Sequence, residues 1–265
     1  MNFKTILLKS IIKLIPQKLY YKILKVHFFR KLKTYYKNDE FEKLEPDLDI
    51  IKLLIKPMDS VIDVGANFGF YTFYLSQLVG KYGHVYSMEP IPLTFEMLSY
   101  ITRKLSLDNV STFNYGISER NGSAIMEIPK FELGNDNFYE ARITRNKNPD
   151  LKYFKVNLRS LDSLLFNKTN KITFIKIDVE GHELQVINGA AKLINSYKPA
   201  FLIEISENPD DRQSPAFKLF DRLINKGYQP YWYDGNILRP RLDGDTSTNY
   251  FFLTNEQFKK LEYGQ

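Results

Sequence analysis

The chain has 265 residues, 43% of them hydrophobic, which is enough for one large domain or a domain with an arm, and its 18 Tyr and 20 Phe can fill a core. The absence of cysteine excludes disulfides, thiolate zinc sites and cysteine nucleophiles, and it fits a reducing, cytoplasmic setting. The net charge of +6 hides an asymmetry: ten Lys or Arg and no acid lie in the first 38 residues, so the remainder is near −4, which argues against a nucleic-acid binder.

Residues 1–45 read as a basic arm. Phe3, Leu7, Ile11 and Leu14 fall on one helical face with Lys9 and Lys13 opposite, and Pro16 ends that helix. A second basic, aromatic segment, KLYYKILKVHFFRKLKTYYK, follows. The lysines break the apolar stretch and no small-residue cleavage site follows, so a secretory signal is a poor fit, and no stretch is apolar enough to span a bilayer. Two readings stay open for residues 1–38: packing on the protein or a partner subunit, or peripheral contact with an anionic membrane.

From residue 46 to 265 the chain reads as one α/β domain. LDIIKLLIK is helical and stops at Pro57; SVIDV is a buried strand; FYTFYLSQLV is a helix ending at Gly80. HVYSME, VSTFNYG, ITFIKID and AFLIEI are further strands, separated by the helices PLTFEMLSYITRKL and ELQVINGAAKLINSY and followed by the helix SPAFKLFDRLINKG. Continuous apolar strands alternating with helices imply a mostly parallel, twisted sheet covered on both faces. YQPYWY and TNYFFLT, with no helix between them, read as a C-terminal antiparallel hairpin at a sheet edge. Between about 120 and 160 an inserted β and loop segment breaks the alternation, with strands in GSAIMEIP and YFKVNL and a polar stretch at 132–150.

The chemistry concentrates where strands should end. Asp63 closes the first strand, and Gly65-Ala66-Asn67-Phe68-Gly69 turns into a helix whose N-terminus offers free N–H groups. Glu89 closes the next strand, where a carboxylate can accept hydrogen bonds from a ribose diol. The spacing G-x-x-x-G is not the dinucleotide fingerprint, and Asp63 would repel a pyrophosphate. It would welcome the ammonium of S-adenosylmethionine, with the ligand's carboxylate at the helix N-terminus near Tyr71 and Thr72. A second cluster, Asp178, Glu180, His182 and Glu183 in FIKIDVEGHEL, lies at another strand end, and Glu204 ends the next strand. Convergent carboxylates suit either proton removal from an acceptor or a divalent cation. The three histidines, His27, His84 and His182, are scattered, so no histidine metal site is expected.

The stretches VIDVGANFGFYT, VYSMEPIP, NYGISERNG, SLDSLL, FIKIDVEGHELQVINGA and FLIEI resemble the FkbM family of S-adenosylmethionine-dependent methyltransferases. The resemblance spans residues 60–205. It implies a class I Rossmann-like methyltransferase fold and O-methylation, often of sugar hydroxyls, glycans or natural products; a lipid-linked acceptor would follow only if the basic arm rests on a membrane. It implies that Asp63, Gly65, Asn67, Gly69, Tyr71 and Thr72 hold the methionine end of the cofactor, Glu89 the ribose, and Asn114 and Ser118 the adenine. Asp178, Glu180, His182 and Glu204 are the candidates for proton removal, with Mg²⁺ held by Asp178 and Glu204 as the alternative. Two other classes stay open: an N-methyltransferase or nucleic-acid methyltransferase, and a non-catalytic cofactor-binding, membrane-docking protein.

Overall fold

The computed structural model describes residues 17–38, 40–130, 136–144, 146 and 148–262. The stripe Phe3–Leu7–Ile11–Leu14 and the stop at Pro16 lie outside the described residues, as does part of the 132–150 stretch. The basic aromatic segment is one helix, α1 (Gln17–Asn38), followed by a single turn, α2 (Phe41–Leu44), and by α3 (Leu48–Leu54).

The domain then alternates as β1 (Ser60–Val64), α4 (Phe70–Val79), β2 (His84–Met88), α5 (Pro92–Lys104) and β3 (Val110–Phe113). After β4 (Gly116–Ile117) come β5 (Gly122–Ile128), β6 (Arg142–Ile143) and β7 (Lys152–Arg159), then α6 (Leu161–Leu165), β8 (Ile172–Ile177), α7 (Glu183–Asn188), α8 (Ala191–Tyr197) and β9 (Ala200–Glu204). The chain closes with α9 (Pro215–Ile224), β10 (Tyr228–Tyr233), β11 (Leu238–Pro240), β12 (Asn249–Thr254) and α10 (Asn255–Glu262).

Eight strands form the main sheet in the order β11-β10-β12-β9-β8-β1-β2-β3. The five from β9 to β3 are parallel, and β12, β10 and β11 add antiparallel pairs. The C-terminal hairpin therefore differs from expectation in one respect. Its last strand, β12, inserts between β9 and β10, so it is internal, and β11 takes the edge. NYFFLT explains this: its apolar residues have a sheet neighbour on each side and are buried on both faces. The intervening segment forms a second, four-stranded sheet, β4-β7-β5-β6.

The stretch ELQVINGAAKLINSY, expected as one helix, is two, broken at Gly189–Ala190. A Cβ on Gly189 would stand 2.1 Å from the Ser118 carbonyl oxygen, so the break brings this backbone against the β4–β5 loop.

Two cores flank the main sheet. Ile62, Val64, Ile175, Ile177 and Phe201 pack with α7, α8 and α9 on one face. Val61, Phe174, Leu202 and Phe251 pack on the other with α1, α3, α4 and α5 residues. Alternation along each strand therefore puts Asp63, Lys176, Leu202 and Glu204 on the second face, under the N-terminal helices.

Candidate active site

A cavity of about 500 Å³ opens at the carboxyl ends of β1, β2, β8 and β9, where ligands bind in open α/β sheets. The loop after β1 forms one wall. Gly65 and Gly69 have φ of 78° and 91°, and Asn67 between them is also left-handed at 47°. The close approach at Gly65 is to the protein itself: a Cβ there would lie 1.7 Å from the carbonyl oxygen of Asp178. The loop after β1 is thus pressed against the loop after β8, which fixes the two sequence clusters side by side.

Glu89 organises this end. Its Oε2 accepts from the Asn67 N–H at 2.9 Å, and its Oε1 accepts from the Ile91 N–H at 2.9 Å and the Thr94 hydroxyl at 2.6 Å. Burial raises its pKa to about 7 although those bonds oppose the shift. A carboxylate has about four lone-pair sites, so three are already used and roughly one is left for a ligand hydroxyl. Tyr115, Gly116, Ile117 and Met126 continue the wall.

The predicted residues separate into two groups. Gly65, Asn67, Tyr71, Glu89, Asp178, Glu180, His182 and Glu204 line the cavity; Asp63, Gly69, Thr72, Asn114 and Ser118 do not. The second group supports the first. Asp63 is fully buried, and its Oδ2 accepts from the Thr72 hydroxyl at 2.6 Å, which also lies 2.9 Å from Ser87 Oγ. Burial raises the pKa of Asp63. The Asn114 amide donates to the carbonyls of Glu89 and Pro90 at 2.8 and 3.0 Å, bracing the loop after β2. Ser118 Oγ lies 2.9 Å from His182 Nε2, and burial lowers the imidazole's pKa. The sequence reading gives these residues to the cofactor; here their side chains bond to the protein's own groups beside the cavity.

The other end of the cavity is acidic. Carboxylate oxygens of Asp178, Glu180 and Glu204 lie within 4.8 Å of one another. Glu180 sits in left-handed backbone, φ 54°, and its pKa rises to about 7, first through burial and then through Asp178 and Glu204. Burial also raises Glu204, with Asp178 adding to it. Glu45, just after α2, joins this end; burial raises its pKa, and it accepts a long 3.4 Å bond from the Tyr71 hydroxyl. His182 also lines the cavity, with its Nε2 bonded to Ser118.

Several cavity-lining residues escaped the sequence reading, Lys176 first among them. Lys176 is 5% exposed, its Nζ lies 2.8 Å from Asp178 Oδ2, and it stands 4.6 Å from the centre of the Tyr71 ring. Burial would lower its pKa, but Asp178 and Asp63 outweigh that and raise it. It pairs in register with Asp63 on β1 and Leu202 on β9. The signal was a lone lysine in the apolar strand FIKID, two positions before Asp178 and so on the same face. Asn249 was also missed; it lines the cavity, pairs in register with Glu204, and donates to Asp47 Oδ2 at 2.7 Å. So were Phe28, Lys31, Leu32 and Tyr35 of α1, which wall the cavity from the arm.

Residues 63–230 match the model of the methyltransferase FkbM domain. The chain belongs to the FkbM methyltransferase family. The fold is the Rossmann-like α/β fold of S-adenosylmethionine-dependent methyltransferases. No curated protein matches the chain. Among solved structures it is similar to the methyltransferase FkbM of Methylobacillus flagellatus, at 19% identity and a TM-score of 0.48 over 75% of this chain, and it spans 48% of that protein's length. It is also similar to the Aeropyrum pernix fibrillarin with natively bound S-adenosyl-L-methionine, at 12% identity and TM-score 0.46, covering 75% of this chain and 67% of that one. A third is a Thermotoga maritima S-adenosylmethionine-dependent O-methyltransferase, at 16% identity and TM-score 0.44, covering 78% and 63%. The family match ends short of both cavity walls added by the flanking segments: α1 with Glu45, and β12 with Asn249, lie outside residues 63–230.

Proposed function

We propose that this protein is an S-adenosylmethionine-dependent O-methyltransferase acting on a hydroxyl of a sugar, glycan or natural-product acceptor. The observation that carries the reading is one cavity lined by two kinds of residue. Gly65, Asn67, Glu89 and Tyr115 come from the loops after β1, β2 and β3, and Glu45, Asp178, Glu180 and Glu204 make up an acidic group beside them, which gives a cofactor and an acceptor one space to share.

The residues fit the cofactor at one point that the protein leaves open. Asn67 lines the cavity, and its Oδ1 is buried with no hydrogen-bond partner, which leaves an acceptor unused for an ammonium or amide donor. Asp63 Oδ1 is buried and unpartnered too, but it lies behind the wall, so its charge acts through Lys176 and the β1 loop rather than by contact. Glu89 has room for about one ribose hydroxyl. The bound cofactor supplies an electrophilic methyl group on sulfonium.

At the acceptor end the protein's task is to hold a hydroxyl in line and accept its proton as the oxygen–methyl bond forms. Glu180 suits the second task because a carboxyl with pKa about 7 is a stronger base than an ordinary one. The ion pair of Lys176 with Asp178 holds the neighbouring carboxylate in place. The cluster of Asp178, Glu180 and Glu204 favours a second route for the same step: a divalent cation such as Mg²⁺ on those oxygens would lower the hydroxyl's pKa.

Titration calorimetry with S-adenosylmethionine, followed by transfer of labelled methyl to a panel of sugars, tests this. Binding with transfer to oxygen supports the reading; binding of NAD in place of S-adenosylmethionine, or transfer only to nitrogen, overturns it. Activity that vanishes in EDTA and returns with Mg²⁺ selects the cation route, and full activity in EDTA selects Glu180.

A further inference from the structure

Helix α1 presents two faces with different chemistry. Its inner face is packed. Leu32 is buried, Phe28 meets Phe68 edge-on with ring centres 5.5 Å apart, and Lys25 pairs with Glu96. The same face supplies Phe28, Leu32 and Tyr35 to the cavity wall.

The outer face is of another kind. Lys22, Arg30, Lys33 and Lys37 are exposed, and two aliphatic side chains, Leu19 and Ile23, are 49% and 51% exposed beside them. At about 100° per residue these six positions fall in one sector roughly 100° wide. The helix carries seven Lys or Arg and no acid, so nothing in it offsets that charge. Four cations with two aliphatic side chains among them make this stripe complementary in charge to an anionic interface. Among the described residues no helix is long and apolar enough to cross a membrane, which leaves lying flat as the available mode. A nucleic acid would use the cations but has no use for half-exposed Leu19 and Ile23, and a second copy of this face would repel the first.

We propose that the outer face of α1 docks on an anionic bilayer, with Leu19 and Ile23 in the headgroup boundary and Lys22, Arg30, Lys33 and Lys37 against lipid phosphates. Each such cation near a negative surface adds to the attraction, so four acting together suit reversible attachment. The geometry adds a consequence that rests on the methyltransferase reading. The cavity wall is the opposite face of the docked helix, only about 10–12 Å of helix away from the lipid, so an acceptor anchored in that bilayer is within reach.

The full chain would be sedimented with vesicles of phosphatidylcholine alone and of phosphatidylcholine mixed with phosphatidylglycerol, at low and at about 0.5 M salt. Sedimentation with the anionic vesicles only, abolished by salt, is expected. Reversing the charges (Lys22→Glu, Arg30→Glu, Lys33→Glu and Lys37→Glu together) should weaken vesicle binding at least about tenfold. Leu19→Asn with Ile23→Asn should weaken it several-fold while its salt dependence persists. Melting temperatures should stay at the wild-type value in both variants, since the altered side chains are exposed; a fall of several degrees would place them in packing and overturn the proposal. So would wild-type chain that ignores anionic vesicles, binding that survives charge reversal, or release by a DNA oligonucleotide with no effect of the asparagine pair. Calorimetry with S-adenosylmethionine on the same variants separates the two readings, because its affinity should not change when docking is lost.

Discussion

Glu89 and Glu180 line one cavity, and both have a pKa raised to about 7, but their partners differ. Glu89 is enclosed and held by three donors, so its two oxygens point where the backbone of the β1 and β2 loops dictates. Glu180 is half-buried and sits on a left-handed residue, among other carboxylates. The first is a fixed acceptor, suited to binding. The second has a proton that neighbouring charge makes easy to gain, suited to transfer. Burial is the largest cause in both, so a shifted pKa alone does not distinguish a binding carboxylate from a reactive one; the partners do.

Breaking the contact between the loops after β1 and β8 should have the largest effect. Gly65→Ala places a methyl group 1.7 Å from the Asp178 carbonyl and strains a residue at φ 78°. A loss of about 4 kcal/mol in denaturant unfolding is expected, since backbone must move to admit the group. A loss below about 1 kcal/mol would mean the two loops are not pressed together.

Removing the charge that holds the acidic end comes next. Lys176→Met leaves Asp178 and the fully buried Asp63 without their cation. Stability should fall by about 3 kcal/mol, read from the urea midpoint, and Lys176→Arg should restore part of it. A stable Met variant would make the lysine a bystander.

At the cofactor end, Glu89→Ala strips the acceptor from two backbone N–H groups and one hydroxyl. Calorimetry should show S-adenosylmethionine binding weakened by about 1.5–3 kcal/mol, with stability lower by about 2 kcal/mol. Unchanged affinity in a folded variant would remove Glu89 from the site.

The smallest effect is the pH dependence of Glu180. Its pKa is raised from 4.5 to about 7 in the folded protein, so folding binds a proton that the unfolded chain releases. Its contribution to stability is therefore fully present below about pH 4.5 and is lost as pH rises to about 7. Glu180→Gln should flatten that part of the melting curve against pH and raise the melting temperature near pH 8 by about 2 °C. Glu89, also raised to about 7, and the raised Glu45 and Glu204 leave a residual slope in the Gln variant. A slope identical to wild type would show that Glu180 does not titrate there.

Much of this molecule was legible in one dimension. The continuous apolar strands gave the parallel sheet, because only strands covered on both faces can be apolar throughout. The acids and glycines at strand ends located the cavity, since all parallel strands end on the same edge. Helix α1 was visible as a basic, aromatic segment, though not which face would pack.

Other features needed the third dimension. That β12 would slot between β9 and β10 depends on pairing partners 45 residues apart in the chain, as in Asn249 with Glu204 (249 − 204), and nothing local encodes it. Which members of DVGANFGFYT touch a ligand was also hidden. Asp63 and Thr72 bond each other behind the wall while Asn67 and Tyr71 face the cavity, a division set by packing of α4 on β1. Glu45, Lys176 and Asn249 come from three distant segments and meet at one end of the cavity only because the sheet and the arm fold together. Residue type and spacing determined that a carboxylate-rich, glycine-lined site exists at the sheet edge. Long-range register and the packing of α1 decided which side chains form it, because side-chain direction and solvent exclusion are fixed by neighbours remote in the chain.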